Sequence, residues 1–292
     1  MKKVFLVLAL ALGLSSCEKP VISEDGSESV EMTTNNSRKF TWKVKGDFST
    51  VPETRAAGLI ADGKEMTDLW TFDYMDGELV QQLHQSSSDA DWGSPSLRLL
   101  YGSHHVYFVA SRGNDAVADI DKTVLVWGTT RDTFWKDYAV DVISTSNGSR
   151  VVTLDRVATR LKVTIMDEVP ENCAKMALTA TKWFNGIDYT TGKAIEAPAA
   201  YTSSVAVPAA YVGTSGKMSI TMYGLSDADE WTTALSIDAL DASDKIIGHA
   251  EVEAAPFERN RSTEYSGSLF TTSGGWGTAL NDEWSTAYTS EW

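Results

Sequence analysis

Ala158-Thr-Arg-Leu-Lys-Val-Thr-Ile-Met166 alternates from end to end. Leu161, Val163 and Ile165 fall on one side, and Arg160, Lys162 and Thr164 on the other. Side chains of an extended strand point to its two faces in turn, so this stretch predicts a strand with one face in a core and one in water. The pattern recurs in both directions. Upstream, Phe40, Trp42 and Val44 alternate with Thr41, Lys43 and Lys45, and similar short runs lie at 69–74, 78–83, 96–101, 105–110, 124–127, 138–143 and 150–154. Downstream they lie at 176–181, 201–207, 218–223, 234–239, 246–253 and 263–270. Many short strands separated by Gly and Asp turns predict an all-β protein built of sandwiches. About fifteen strands suit two tandem sandwiches of seven or eight better than one. The seam is expected at 150–157, beside Asn147-Gly148-Ser149, which divides the chain into a sandwich at 56–153 and another at 154–292. No helix is demanded; 132–135 and 227–231 could each make a single turn.

The chain ends on a second alternation. Trp276, Leu280, Trp284, Tyr288 and Trp292 fall on even positions, and small or polar residues fill the odd ones. A helix is the rival reading, since the large residues are four apart. That spacing drifts by about 40° per step on a helix of 3.6 residues per turn, and the Gly, Thr, Ser and Asn content disfavours one. An extended tail with one large aromatic face needs a groove, in its own domain or in a neighbour's.

The other end reads as an export signal. Met1-Lys2-Lys3 precedes the apolar run 4–14, and Leu14-Ser15-Ser16-Cys17 follows it. The run is too short to span a bilayer, which takes about 20 residues. A basic start, a short apolar run and small residues describe a secretory signal, and a Cys at the cleavage point makes it a lipobox. An ordinary signal peptide with a chance Cys is the blander alternative. Residues 1–17 are therefore read as a lipoprotein signal peptide. Residues 18–38 read as a tether: 18–36 is rich in Glu, Ser, Thr and Asn without periodicity and cannot bury enough apolar surface to fold alone. The net charge of −15 over 292 residues argues against nucleic acid and against binding anionic lipid by charge. Only Cys17 and Cys173 exist, and a lipidated Cys17 leaves no intrachain disulfide. Cys173 reads as a small buried residue.

Catalytic signals are nearly empty. The four histidines are His84, His104, His105 and His249. His104 and His105 are adjacent on an expected strand and cannot chelate one ion together. Gly216-Lys217 lacks a phosphate-binding loop, Gly275-Trp276-Gly277 lacks a third Gly, and no Gly-x-Ser-x-Gly elbow occurs. Asp89/Asp91, Asp119/Asp121 and Asp227/Asp229 could help hold Ca²⁺, but none carries the rest of an EF-hand loop, and solvated turns are the preferred reading. No catalytic residue, cofactor or metal is expected. Ten Trp invite a carbohydrate-binding face, against the commoner use of large aromatics as core. Arg55 in Val51-Pro-Glu-Thr-Arg-Ala-Ala-Gly58 is either an inert linker residue or an exposed site for an Arg-specific protease.

Taken in order, lipobox, tether, first strand, Arg55-Ala56, two sandwiches and aromatic tail resemble the fimbrillins of FimA type, the subunits of type V pili of Gram-negative anaerobes. Met66-Thr-Asp-Leu-Trp-Thr-Phe-Asp73, Arg156-Val-Ala-Thr-Arg-Leu-Lys-Val163, Arg259-Asn-Arg-Ser-Thr263 and Asn281-Asp-Glu-Trp284 are similar to that family. The resemblance implies two tandem Greek-key, transthyretin-like sandwiches and a non-enzymatic, palmitate-carrying lipoprotein anchored in the outer membrane through Cys17. It implies an Arg-specific protease that cuts after Arg55 and releases Cys17 to Arg55, the lipidated residue and the 18–55 tether with the removable strand of Phe40, Trp42 and Val44. A donor strand from another pilin subunit, self or homologous, would then fill the slot, placing the mature protein in a cell-surface fimbrium. Trp276, Leu280, Trp284, Tyr288 and Trp292 are the corresponding donor residues here. Two uses compete for the twenty-two residues after Phe270: closing their own domain, or filling a neighbour. A surface lipoprotein that binds glycan or serves adhesion is the alternative function, and a hydrolase without a recognisable motif is a weaker one.

Overall fold

A computed structural model describes residues 36–47, 57–59, 66–113, 115–195, 199–271 and 277–281. The strands in chain order are β1 (Ser37–Asp47), β2 (Ala57–Leu59), β3 (Asp68–Met75), β4 (Glu78–Ser86), β5 (Ser96–Leu100), β6 (Gly102–Ser111) and β7 (Val117–Asp119). They continue as β8 (Val124–Val126), β9 (Thr133–Val142), β10 (Ser149–Arg156), β11 (Thr159–Ile165), β12 (Lys175–Trp183), β13 (Gly186–Asp188) and β14 (Lys193–Ala194). The last are β15 (Ala199–Ala206), β16 (Met218–Gly224), β17 (Glu230–Leu240), β18 (Ile246–Glu258), β19 (Ser262–Gly267) and β20 (Gly277–Asn281). Among the described residues the one helical piece is a 3₁₀ turn at Ala209–Tyr211. The chain is all-β, as its alternations require. The single helical turns that 132–135 and 227–231 could make do not form. Residue 133 already starts β9, whose Thr133 and Phe134 are needed in the core, and 227–229 is a bend into β17.

The N-terminal half is one eight-stranded sheet in the order β2-β1-β10-β9-β6-β3-β4, with β5 on β1. It folds over at the end of β10, where only Asp155 and Arg156 pair with β9. Two layers result. Phe40, Trp42, Val44, Leu97, Leu99, Val152 and Leu154 from one face Leu69, Val106, Phe108, Ala110, Phe134 and Val142 from the other, all buried. Trp70 and Phe72 of β3, and Tyr107 and Val109 of β6, belong to a second core with Leu125, Trp127, Phe184, Ile187 and Tyr189. That second core is roofed by the small sheet β14-β13-β8-β7.

The C-terminal half packs β16-β11-β19-β20 on β15-β12-β17-β18. Leu161, Val163 and Ile165 of β11, Met218 and Ile220 of β16, Leu178 of β12 and Ile237 of β17 form its core. β10 ends at Arg156 and β11 begins at Thr159, so the chain crosses between the halves at 157–158. A desolvated ion pair lies at that crossing. Arg156 donates from Nε to Asp132 Oδ1 at 2.9 Å and from Nη2 to Oδ2 at 3.2 Å, with both side chains fully buried. The guanidinium also lies 4.8 Å from the Phe134 ring centroid and donates to Asn260 Oδ1 at 3.3 Å. Asn260 sits in the turn between β18 and β19 at φ 60°, and its amide donates to Ala158 O. The stretches 156–163 and 259–263 thus meet at one seam.

Candidate functional site

The site is the slot that β1 occupies. β1 runs parallel to β10 from Thr41 to Gly46 and antiparallel to β5 from Ser37 to Thr41, and its last residues pair with β2. Trp42 donates its amide to Pro95 O and Val44 to Gly93 O on one side, and Thr41 donates to Gly148 O at 2.7 Å on the other. Both edges of the strand are therefore held. Its inward residues Phe40, Trp42 and Val44 are fully buried, and Lys39 and Lys43 face out. The Trp42 ring lies 5.7 Å from Phe40, 5.5 Å from Phe108 and 6.4 Å from Tyr138. Arg150 of β10 lies over the Phe40 ring at 5.3 Å. Arg38 donates from Nε to Ser144 O at 2.9 Å.

At about 1.5–3 kcal/mol for each large apolar side chain, the three buried residues contribute on the order of 5–9 kcal/mol to keeping β1 seated. The indole Nε1 of Trp42 is buried without an acceptor. An unsatisfied buried donor costs about 1–3 kcal/mol, so the central position selects a large apolar ring and gains nothing from the nitrogen. Two residues that build the slot carry no sign of it in the sequence. Gly148 passes so close to β1 that a Cβ there would lie 1.9 Å from Lys39 O. Gly93, at φ 70°, turns its carbonyl to the amide of Val44.

Of the residues expected to carry function, Phe40, Trp42 and Val44 stand side by side in this slot. Cys17, Arg55, Ala56, Trp276, Trp284, Tyr288 and Trp292 lie outside the described residues. β2 starts two residues after Arg55 and runs back along the end of β1, so Arg55-Ala56 belongs to the connection between these two strands. Leu280 lies in β20, which pairs antiparallel with β19 from Thr263↔Leu280 to Ser266↔Gly277. The first part of the tail therefore closes its own sheet. Asp167 holds the approach to it, accepting from the amides of Leu269, Phe270 and Thr271 at 2.7–3.1 Å.

The other polar candidates are tied to partners within the chain. Each histidine meets an aspartate: His84 with Asp68, His104 with Asp73, His105 with Asp137 and His249 with Asp238. The adjacent pair points to opposite faces, His104 buried and His105 exposed. Burial alone would push the His104 imidazole down, but the hydrogen bond and charge of Asp73 outweigh it and the net shift is upward. Burial pushes the Cys173 thiol up, away from reactivity. Among the described residues no three potential ligands gather as a metal site. The aspartate pairs lie in turns or at a strand end: Asp89 accepts from the Ser86 amide, Asp119 at the end of β7 pairs with Lys122, and Asp229 pairs with Arg259.

Several solved structures from Bacteroides share this architecture. A crystal structure of a "putative adhesin" from Bacteroides ovatus superimposes with a TM-score of 0.54 at 10% identity, over 84% of this chain and 94% of that one. A "putative adhesin" from Bacteroides thetaiotaomicron gives 0.53 at 10% identity over 85% and 96%. "Putative polysaccharide binding proteins (DUF1812)" from the same species give 0.52 at 10% identity over 84% and 96%. At such identity the likeness is one of fold. No curated protein matches the sequence. A family model described as "Family of unknown function (DUF6562)" matches residues 116–291.

Proposed function

We propose that this chain, which belongs to the family of unknown function DUF6562, is a non-enzymatic fimbrial or adhesin subunit of the cell surface, of the fimbrillin kind. In this reading it is exported with lipid on Cys17 and held off the outer membrane by the polar stretch at 18–36. An Arg-specific protease cuts between Arg55 and Ala56, and a strand from another subunit takes the place of β1. In the same reading the tail beyond β20 serves a neighbour in turn.

One observation carries the proposal. The segment just upstream of Arg55 is a fully embedded strand, flanked by β5 and β10, with three large side chains in the core. It is joined to the body by the connection that contains the candidate cut. Removing it would open an apolar trough between two hydrogen-bonding edges, the arrangement that strand addition repairs. The glycan reading through an aromatic face has less support, because among the described residues no tryptophan is exposed.

Mass spectrometry of the native surface protein tests the proposal. Assembled material should begin at Ala56, and a precursor should begin at a lipid-modified Cys17. Surface material that begins only at Cys17 would refute the maturation step.

A further inference from the structure

The slot and the tail do not fit each other. β1 fills its trough with three large apolar side chains at successive alternate positions, Phe40, Trp42 and Val44, all fully buried. The same face continues into half-buried Arg38 on one side and Gly46 on the other, so the deep positions are these three successive ones, and the central one holds the largest side chain. The tail has a different rhythm. Residues 277–281 are already paired to β19, which leaves 282–292 as Asp282-Glu-Trp-Ser-Thr-Ala-Tyr-Thr-Ser-Glu-Trp292. Its large residues recur every fourth position, so each alternates with a small or charged one on the same face.

The possible registers are few. Trp284-Thr286-Tyr288 sets Thr286 in the space of Trp42. Tyr288-Ser290-Trp292 sets Ser290 there. Asp282-Trp284-Thr286 centres a tryptophan but lays the Asp282 carboxylate where Phe40 is buried. Thr286-Tyr288-Ser290 leaves both outer positions small. The opposite face carries Glu283, Ser285, Ala287, Thr289 and Glu291. Each register leaves a void of aromatic size or buries a charge, and both are among the more costly changes a core can suffer.

We propose that the β1 slot is built for a strand of a different subunit, with large apolar side chains at three successive alternate positions, and not for the tail of a second copy of this chain. This rests on the strand-exchange reading above and names its partner. The chain then joins a heterologous assembly and does not repeat itself. Its own tail suits a trough with deep pockets at every second inward position.

Two measurements on the full chain decide it. Trp42→Thr reproduces the centre of the best tail register inside β1. It should lower the folding equilibrium constant about a hundred- to a thousandfold in urea titration, as losses of large core aromatics do. A loss below about threefold would mean that the slot tolerates a small centre, and would overturn the proposal. The second measurement cuts wild-type chain with an Arg-specific protease and examines it alone on unboiled gels. No ladder is expected. A ladder made by the single chain overturns the proposal. A peptide of residues 37–47 should be taken up by the cut protein, and a peptide of residues 282–292 should not be at a hundredfold higher concentration; equal uptake also overturns it. A chain that keeps its first strand under the protease refutes the maturation reading instead, and Trp42→Thr still decides the demands of the slot.

Discussion

Gly148→Ala should unseat β1 while adding a single methyl group. An alanine Cβ would stand 1.9 Å from Lys39 O and 3.1 Å from Lys39 C, both main-chain atoms, where contacts under 3.0 Å essentially never occur. No flexible side chain can absorb the clash. Either the turn at 147–148 or β1 must retreat by roughly 1 Å, which stretches the 2.7 Å bond from Thr41 N to Gly148 O beyond hydrogen-bonding range. The lost bond costs about 1 kcal/mol, and forcing strain into a packed region costs about 1–3 kcal/mol more. A total near 2–4 kcal/mol follows, read as a fall in the urea midpoint of the full chain at unchanged slope. Hydrogen exchange gives the location: the amides of Thr41, Trp42 and Val44 should lose protection before those of β12 or β17. Ser149→Ala, one residue on and exposed, is the control and should stay within about 0.5 kcal/mol. If Gly148→Ala matches that control in both stability and exchange, the close approach of β10 to β1 is wrong, and the slot has been drawn too tightly.

Three further outcomes are expected. Asp132→Ala leaves a fully buried guanidinium without its carboxylate and should destabilise the chain by about 3–5 kcal/mol in urea titration, whereas Asp132→Ala with Arg156→Met should recover much of that. His104 binds its proton more tightly folded than unfolded. Its stabilisation is therefore complete below its ordinary value of 6.5 and is lost as pH rises through the raised folded value. Burial raises Asp73 too, so both partners make stability fall with rising pH. His104→Gln should flatten the decline of the urea midpoint above pH 6.5. His249→Gln should keep most of it, since that imidazole is raised by its hydrogen bond to Asp238 at an exposed site. Asp167→Ala removes the acceptor of three amides before the tail. It should speed hydrogen exchange at Leu269, Phe270 and Thr271 and reduce the protection of β20, with a global loss of about 1–3 kcal/mol. Unchanged exchange there would show that Asp167 is not what holds the tail's approach.

What could be read from sequence here follows the range of the forces involved. β11 was legible because one face is core and the other water, and Leu161-Lys162-Val163-Thr164-Ile165 records that environment residue by residue. The middle of β3 and the second half of β6 pack on both faces, so Leu69-Trp70-Thr71-Phe72 and Val106-Tyr107-Phe108-Val109-Ala110 signal burial but not that it faces two separate cores. β13 and β14 are three and two residues long, too short for any period to appear; they pair with each other, and β13 also pairs with β8, far earlier in the chain. Arg156 and Asp132 are the kind of residues expected outside, and their mutual bidentate contact, 24 positions apart, accounts for their burial. Gly148 is the extreme case. It needs no unusual backbone angle, so nothing local distinguishes it from a loop glycine, and its role exists only because β1 arrives against it from over a hundred residues earlier.

The slot combines both kinds of information. Its inward residues were visible as an alternation, but an alternation does not say whether a strand is an edge, a centre or a plug. That depends on which neighbours it has, and β1 has one on each side: β10 parallel, β5 antiparallel. Once the pairing is known, two patterns that look alike in sequence separate. Phe40-Trp42-Val44 is large at every inward position, and Trp284-Thr286-Tyr288 at every other one. Both are amphipathic strands by the same reading. A trough closed at both edges and packed at three successive inward positions distinguishes them by the volume of one aromatic side chain at its centre, and that volume is what selects which strand can take the place of β1.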